Sequence, residues 1–266
     1  MSIQLIALDI DGTLTNDPFS KVSPENLQAI RRAQQKGVYV TIATGRGCCA
    51  SKMLWRALDV QGPGIHYGGA WIVDCRTSET LLVHPMDPEL VYEVLEYAHA
   101  RGIYAQLYQG DAVIYESPHP SFTQRYASKH GIPHYADPQI RQKRYNDVPK
   151  VLLYVDPEVE DAARLECAEY FAGRAAVSRS VPGFIEINAL SATKGQALKW
   201  LAERMGLSPA EVAAVGDNYL DLDMIEWAGH GVCVANGAEQ VKAAADILVP
   251  SCDENGVAYY IERYVL

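Results

Sequence analysis

The sequence has little positive charge to spare. Its 266 residues carry 23 lysines and arginines against 33 aspartates and glutamates, a formal net charge of −10. So acidic a surface repels nucleic acid and anionic membrane over most of its area, and neither is expected as a partner. An anionic small molecule would need a local positive site, which a bound metal can supply. The six cysteines (Cys48, Cys49, Cys75, Cys167, Cys233 and Cys252) form no CxxC pair. The adjacent Cys48 and Cys49 suit neither a zinc site nor an ordinary disulfide, so reduced thiols of a cytoplasmic protein are expected. No apolar run approaches membrane-spanning length. Met1 leads into Leu5-Ile6-Ala7-Leu8 with no basic segment before it and no small-residue cleavage site after it, so no secretory signal is expected. Internal repeats and low-complexity stretches are also lacking.

What remains is ordinary globular material, 48% hydrophobic and 21% charged, long enough for one large domain or two modest ones. Short apolar runs alternate with helical periodicity, which reads as an α/β fold with a Rossmann-like, mostly parallel sheet. Leu5 to Leu8 is continuously apolar, as in a strand covered on both faces. Ser23-Pro24 is an N-cap followed by proline at the first helical position. That helix runs to Lys36, and Gly37 stops it. Val38 to Ala43 is a second strand. Lys194 to Met205 reads as a helix ended by Gly206, Val212 to Val215 as a strand, and His230 to Val234 and Ile247 to Val249 as two more. The middle, 84–186, has two long helical segments, Pro88 to Arg101 and Pro157 to Phe171. It also has β segments such as Val151 to Val155, and reads as an inserted α+β domain between core segments 1–83 and 187–266.

Four signals carry chemistry. Asp9-Ile10-Asp11-Gly12-Thr13 follows the first strand, and open α/β sheets bind ligands beyond the carboxyl ends of their strands. Gly12 permits a tight turn and a close approach of backbone N–H groups to an anion. Two carboxylates about 4 Å apart repel by roughly 4 kcal/mol at an effective dielectric near 20, and magnesium, which prefers hard oxygen ligands, relieves that. A pair of loop aspartates capping a turn would show the same residues. Thr44-Gly45-Arg46, after the second strand, offers a hydroxyl, a glycine N–H and a helix start to a phosphate, or is an ordinary N-cap. Lys194 stands at a helix start, where the dipole disfavours it, which suggests an acidic partner; the alternative is an ordinary solvated charge. Gly216-Asp217-Asn218-Tyr219-Leu220-Asp221 places two acids four residues apart after a strand, a credible metal site. Taken singly, Asp217 would cap a helix and Asp221 would lie on the surface.

In this order the four signals resemble the haloacid dehalogenase superfamily. The match is closest to its Cof-type phosphatases, whose cap domain is inserted between the second and third motifs. Phe184 to Ile187, Thr193 to Leu198, Gly231 to Gly237 and Glu254 to Val257 extend the likeness over nearly the whole chain. The resemblance implies that Asp9 is the nucleophile and becomes a phosphoaspartate. Asp11 is then the acid-base partner, Thr44 and Lys194 hold phosphoryl oxygens, and Gly12, Gly45 and Arg46 line the phosphate site. Mg2+ is bound by Asp9, the Asp11 backbone carbonyl and Asp217, with Asp221 assisting. The substrate is a small phosphorylated metabolite, with sugar phosphates favoured, and in this family the cap closes over the site and selects the leaving group. Two departures stand out: Leu220 replaces the family's usual asparagine, and Gly68 stands in its Asn-Gly-Ala run. They motivate a non-catalytic metabolite-binding protein as one alternative. A phosphotransferase or phosphomutase using the same aspartates is another. Oligomeric state is left open.

Three further features carry little. His130 and His134 are separated by Gly131 and Pro133, which argues against a shared helix face and a metal site. The stretch Arg125, Lys129, Arg141, Lys143, Arg144, Lys150 reads first as a solvated face and second as a surface greeting an anion. Tyr104, Tyr108 and Tyr115 read first as half-buried strand residues and second as rings that stack on a sugar.

Overall fold

The computed structural model describes residues 2–16, 21–118, 127–179 and 182–266. It divides into two compact units. One comprises 1–46, 51–81 and 193–266, and the other 47–50 and 82–192.

The first unit is built on a five-stranded sheet. The order is Ile247–Val249, His230–Val234, Val212–Gly216, Leu5–Leu8, Tyr39–Ile42, and every neighbouring pair is parallel. Leu5, Ile6, Ala7 and Leu8 are all fully buried. A leucine or isoleucine buried in this way contributes about 1.5–3 kcal/mol, and the strand lies between Val212–Gly216 and Tyr39–Ile42 rather than at an edge. The helix Pro24–Gln35 begins as its sequence dictates: Ser23 Oγ accepts the Asn26 N–H at 3.1 Å, with proline at the first turn. The Lys194–Met205 helix has the expected bounds, with Gly206 left-handed beyond it. The strand Pro63–His66 continues the sheet through a bridge between Ala43 and Ile65 and returns as an antiparallel ribbon with Trp71–Asp74. The register brings the carboxyl ends of Leu5–Leu8, Tyr39–Ile42 and Val212–Gly216 level with one another, so the segments after all three emerge at one edge.

The second unit has a six-stranded sheet ordered Ala175–Arg179, Phe184–Ala189, Lys150–Tyr154, Tyr104–Gln109, Ala112–Tyr115, His134–Ala136. The pairs are antiparallel except the last. Helices Pro88–Ala100 and Glu160–Tyr170 cover one face, packing Val91, Val94, Leu95 and Phe171 on Leu107, Val151, Leu153, Ile185 and Ile187. The strand Phe184–Ala189 pairs on both sides within this sheet, so its residues beyond 186 belong to it rather than to the core. The second long helix starts at Glu160, three residues later than its proline suggests.

The basic stretch of this unit is largely neutralised from within. Arg141 pairs with Glu96 at 3.0 Å and Glu116 at 3.2 Å, Lys143 with Asp137 at 2.6 Å, and Arg144 with Glu89 at 2.7 Å. Lys150 is buried against Glu186 at 2.9 Å. Arg125 lies outside the described residues. His130 ends a one-turn helix, Ser128–His130, and His134 begins a strand, so the two do not share a helix face. Tyr104, Tyr108 and Tyr115 are strand residues. Among the described residues no helix is long and apolar enough to cross a membrane.

Candidate active site

Asp9 is the first residue past the strand Leu5–Leu8, and its N–H still donates to the Val215 carbonyl at 3.0 Å. The chain then turns tightly. The Ile10 carbonyl accepts the N–H groups of Thr13, Leu14 and Thr15, and Gly12 N–H donates to the Thr15 carbonyl at 2.6 Å. Gly12 holds φ +91 here, and an added Cβ would stand 2.8 Å from Asp217 Cγ. The turn therefore needs glycine on two counts: a backbone that L-residues resist, and direct contact with an acid 205 positions away in sequence.

The two acids of this loop face different partners. Asp9 is buried, and the Lys194 ammonium donates to its Oδ1 at 2.6 Å. The Asp11 carboxylate is gripped by the Arg46 guanidinium, whose Nε donates to Oδ2 at 2.8 Å while an Nη donates to Oδ1. Such a fork fixes orientation as well as charge. The Asp11 side chain is thus outside the cluster formed by Asp9, Asp217 and Asp221.

The segment after Val212–Gly216 completes the cluster. Asp221 is fully buried, not a surface acid. Its Oδ2 accepts the N–H groups of Asp217 and Asn218, each at 3.0 Å, and its Oδ1 accepts from Lys194. Asn218, rather than Asp217, caps the following turn, accepting the Leu220 N–H at 2.9 Å. Thr13 Oγ1 donates to Asp217 Oδ1 at 2.8 Å. One oxygen each from Asp9, Asp217 and Asp221 lies within 4.8 Å of the other two.

A single ammonium faces these three carboxylates, and the electrostatics follow from that imbalance. Burial, reinforced by the Asp221 charge, pushes the Asp9 carboxyl well above the usual carboxylate range, and Lys194 offsets only part of this. Burial and Asp221 likewise raise Asp217 to about 7, against the hydrogen bond from Thr13. For Lys194, burial alone would lower the pKa, but Asp221 and Asp9 outweigh it and hold the group above the ordinary lysine value. The lysine is therefore charged and the acids are under-neutralised. Asp9 Oδ2 is buried with no hydrogen-bond partner. A buried, partnerless carboxylate oxygen among other hard oxygens suits a small divalent cation.

Thr44 lies past Tyr39–Ile42. Its N–H donates to the Ile65 carbonyl at 2.9 Å, its hydroxyl accepts the Arg46 N–H at 3.1 Å, and its carbonyl accepts the Gly68 N–H at 2.9 Å. Gly68, where an amide side chain is usual in the resembling family, thus contributes through its backbone. Three site residues escaped the sequence reading of the site: Thr13 on Asp217, Asn236 and Asp223. Asn236 Nδ2 donates to the Gly12 carbonyl at 2.7 Å, and its Oδ1 accepts the Cys252 N–H at 2.9 Å, tying the Asp9–Thr13 loop to the C-terminal segment. The first two lie inside motifs already singled out.

Comparison with known proteins places this arrangement. The profile of the haloacid dehalogenase-like hydrolases matches residues 6–261. A Bacillus subtilis 5-amino-6-(5-phospho-D-ribitylamino)uracil phosphatase is 31% identical over 98% of both chains. The pyridoxal phosphate phosphatase of Escherichia coli is 27% identical over 100% of both. A haloacid dehalogenase-like hydrolase from Bacteroides thetaiotaomicron superposes with a TM-score of 0.86 at 30% identity, over 98% of this chain and 99% of that one. Both of these relatives are named phosphatases, the matching segment spans both units, and the chain belongs to the haloacid dehalogenase-like hydrolase family.

Proposed function

We propose that this protein hydrolyses phosphomonoesters of small metabolites, with Asp9 as nucleophile and a magnesium ion held by Asp9, the Asp11 carbonyl and Asp217. One observation carries the reading: the buried ammonium of Lys194 on Asp9 Oδ1, beside carboxylates too numerous for it to neutralise. Asp9 attacks phosphorus. Asp11, leaving the Arg46 fork and protonated from solvent, gives that proton to the leaving oxygen, then takes one from the water that cleaves the phosphoaspartate. Dividing one difficult displacement into two lowers the barrier of a very slow reaction. Lys194 and Thr44 hold the phosphoryl oxygens, Arg46 orients Asp11, and Asp221 orients Lys194 and the Asp217 loop. Magnesium, when bound, supplies charge neutralisation for the transferring group.

Sugar phosphates are the favoured substrates on the Cof-type likeness. The names of the relatives add pyridoxal phosphate and a phosphoribitylamino-uracil as compounds to try. The test is phosphate release from a panel of phosphorylated metabolites and a generic aryl phosphate, with magnesium and with EDTA. Turnover is expected on at least one compound, lost in EDTA and lost in Asp9→Asn. No turnover across a broad panel would sink the reading. Phosphate appearing on a second sugar instead of in water would convert it to a transferase.

A further inference from the structure

We infer that Asp223 is a positioning residue for Lys194, an inference that rests on the phosphatase reading above. Lys194 is the first residue of its helix, where the helix dipole disfavours a cation. Thr193 already caps that helix, its hydroxyl accepting the Gln196 N–H at 3.2 Å. A second acceptor comes from another element: Asp223 Oδ2 accepts the Gly195 N–H at 2.9 Å. Asp223 lies in the first turn of the short helix Leu222–Trp227, two residues past Asp221, to which the Lys194 ammonium donates. One segment therefore holds Lys194 at both ends, the ammonium through Asp221 and the main chain through Asp223.

The fit is close. A Cβ on Gly195 would stand 2.6 Å from Asp223 Oδ2, 2.7 Å from its Cγ and 2.8 Å from its backbone carbon, so a glycine is required for the acid to reach the N–H. On the other side a Cβ on Gly69 would overlap the Thr193 carbonyl and stand 2.9 Å from Lys194 N. The main chain at 193–195 is clamped between these two contacts. Because the Lys194 side chain is itself fully buried, it has little room to compensate for a shift of its backbone. A misplacement near 1 Å at a reacting group can cost about a hundredfold in rate.

The test compares Asp223→Ala, Asp223→Asn, Gly195→Ala and the Asp223→Ala/Gly195→Ala pair in magnesium buffer. It reads kcat and KM on an aryl phosphate, the inhibition constant of inorganic phosphate, and the melting temperature. Asp223→Ala and Gly195→Ala are each expected to lower kcat about tenfold and weaken phosphate inhibition. Asp223→Asn keeps an acceptor oxygen and should retain most of the activity. The double variant should be no worse than Gly195→Ala alone, because both changes break one contact. Wild-type kcat in Asp223→Ala, an Asp223→Asn as impaired as the alanine variant, or multiplying effects would each overturn the assignment. So would a defect that disappears when each variant is assayed well below its own melting temperature. A wild type that releases no phosphate would instead refute the hydrolase reading. The contact would then be judged from melting temperatures, where the double variant must again match Gly195→Ala.

Discussion

The Lys194 ammonium sits 2.6 Å from Asp9 Oδ1 while also donating to Asp221 Oδ1, so one buried cation joins the expected nucleophile to the acid that organises the Asp217 loop. Lys194→Met keeps length and removes charge. Losing one fixed donor at a site of developing negative charge typically costs about 10²–10³-fold in kcat, and that loss is expected here on any substrate found. Stability should fall as well, because three carboxylates then face one another without a cation. Thermal unfolding in EDTA should show the loss, and added magnesium should recover part of it. Turnover within a factor of about three of wild type would remove Lys194 from the mechanism.

The same imbalance sets a pH dependence. Asp9 and Asp217 are raised in the folded protein, Asp217 to about 7. Between the ordinary carboxylate range and that value, the folded state binds more protons than the unfolded chain. Stability therefore declines as pH rises through the window. Lys194 is raised too, but its contribution is lost only above the ordinary lysine range and does not oppose the trend. In EDTA the melting temperature is expected to fall from about pH 5 to about pH 7.5. Magnesium should reverse the fall, and its binding should release protons, measurable by calorimetry in buffers of different ionisation enthalpy. A melting temperature that climbs steadily across the same window would contradict the assignment.

Leu220 occupies the place where the resembling family has asparagine. Its backbone N–H caps onto Asn218 Oδ1 at 2.9 Å, and that bond does not involve the side chain. Leu220→Asn should thus leave the turn intact while adding an amide beside Asp221. A rise of at least a few-fold in kcat/KM on some substrate, or a changed ranking of substrates, is expected. If kcat/KM stays the same on every active compound, the leucine has no bearing on efficiency.

What the sequence disclosed, and what it hid, follows from the range of the interactions. The core strands were readable because each is a short, fully buried run such as Leu5 to Leu8, and the helix starts because Ser23 caps Asn26 only three residues on. The site acids were readable because Asp9 and Asp217 fall directly after strands and Asp11 and Asp221 follow within the same loops. The fork of Arg46 on Asp11 joins residues 35 apart, and the contact of Asp223 with Gly195 joins residues 28 apart; neither leaves a local pattern. The second unit was harder still. Its sheet buries Gln106, bonded to the Tyr104 and Tyr108 hydroxyls, and the pair Lys150 and Glu186, polar residues that blur the alternation by which a strand is recognised. The boundary expected between 186 and 187 falls within one of its strands, Phe184–Ala189.

Gly12 offers a last test, because two causes of its requirement can be separated. Gly12→Ala adds a Cβ both at φ +91 and against the Asp217 carboxyl, 2.8 Å from its Cγ and 2.9 Å from its Oδ1. The backbone component should cost about 1–2 kcal/mol. The crowding should also push Asp217 away from Thr13 and from the other carboxylates, lowering magnesium affinity by about 10–100-fold, the usual effect of disturbing what orients a ligand. Gly37→Ala is the control: Gly37 has nearly the same φ, +87, but an added Cβ there meets nothing within 4 Å. It should lose comparable stability and keep its magnesium affinity. Calorimetric titration beside thermal unfolding distinguishes the two. Equal loss of metal affinity in both variants would mean that backbone strain alone, and not the contact between Gly12 and Asp217, sets the geometry of the site.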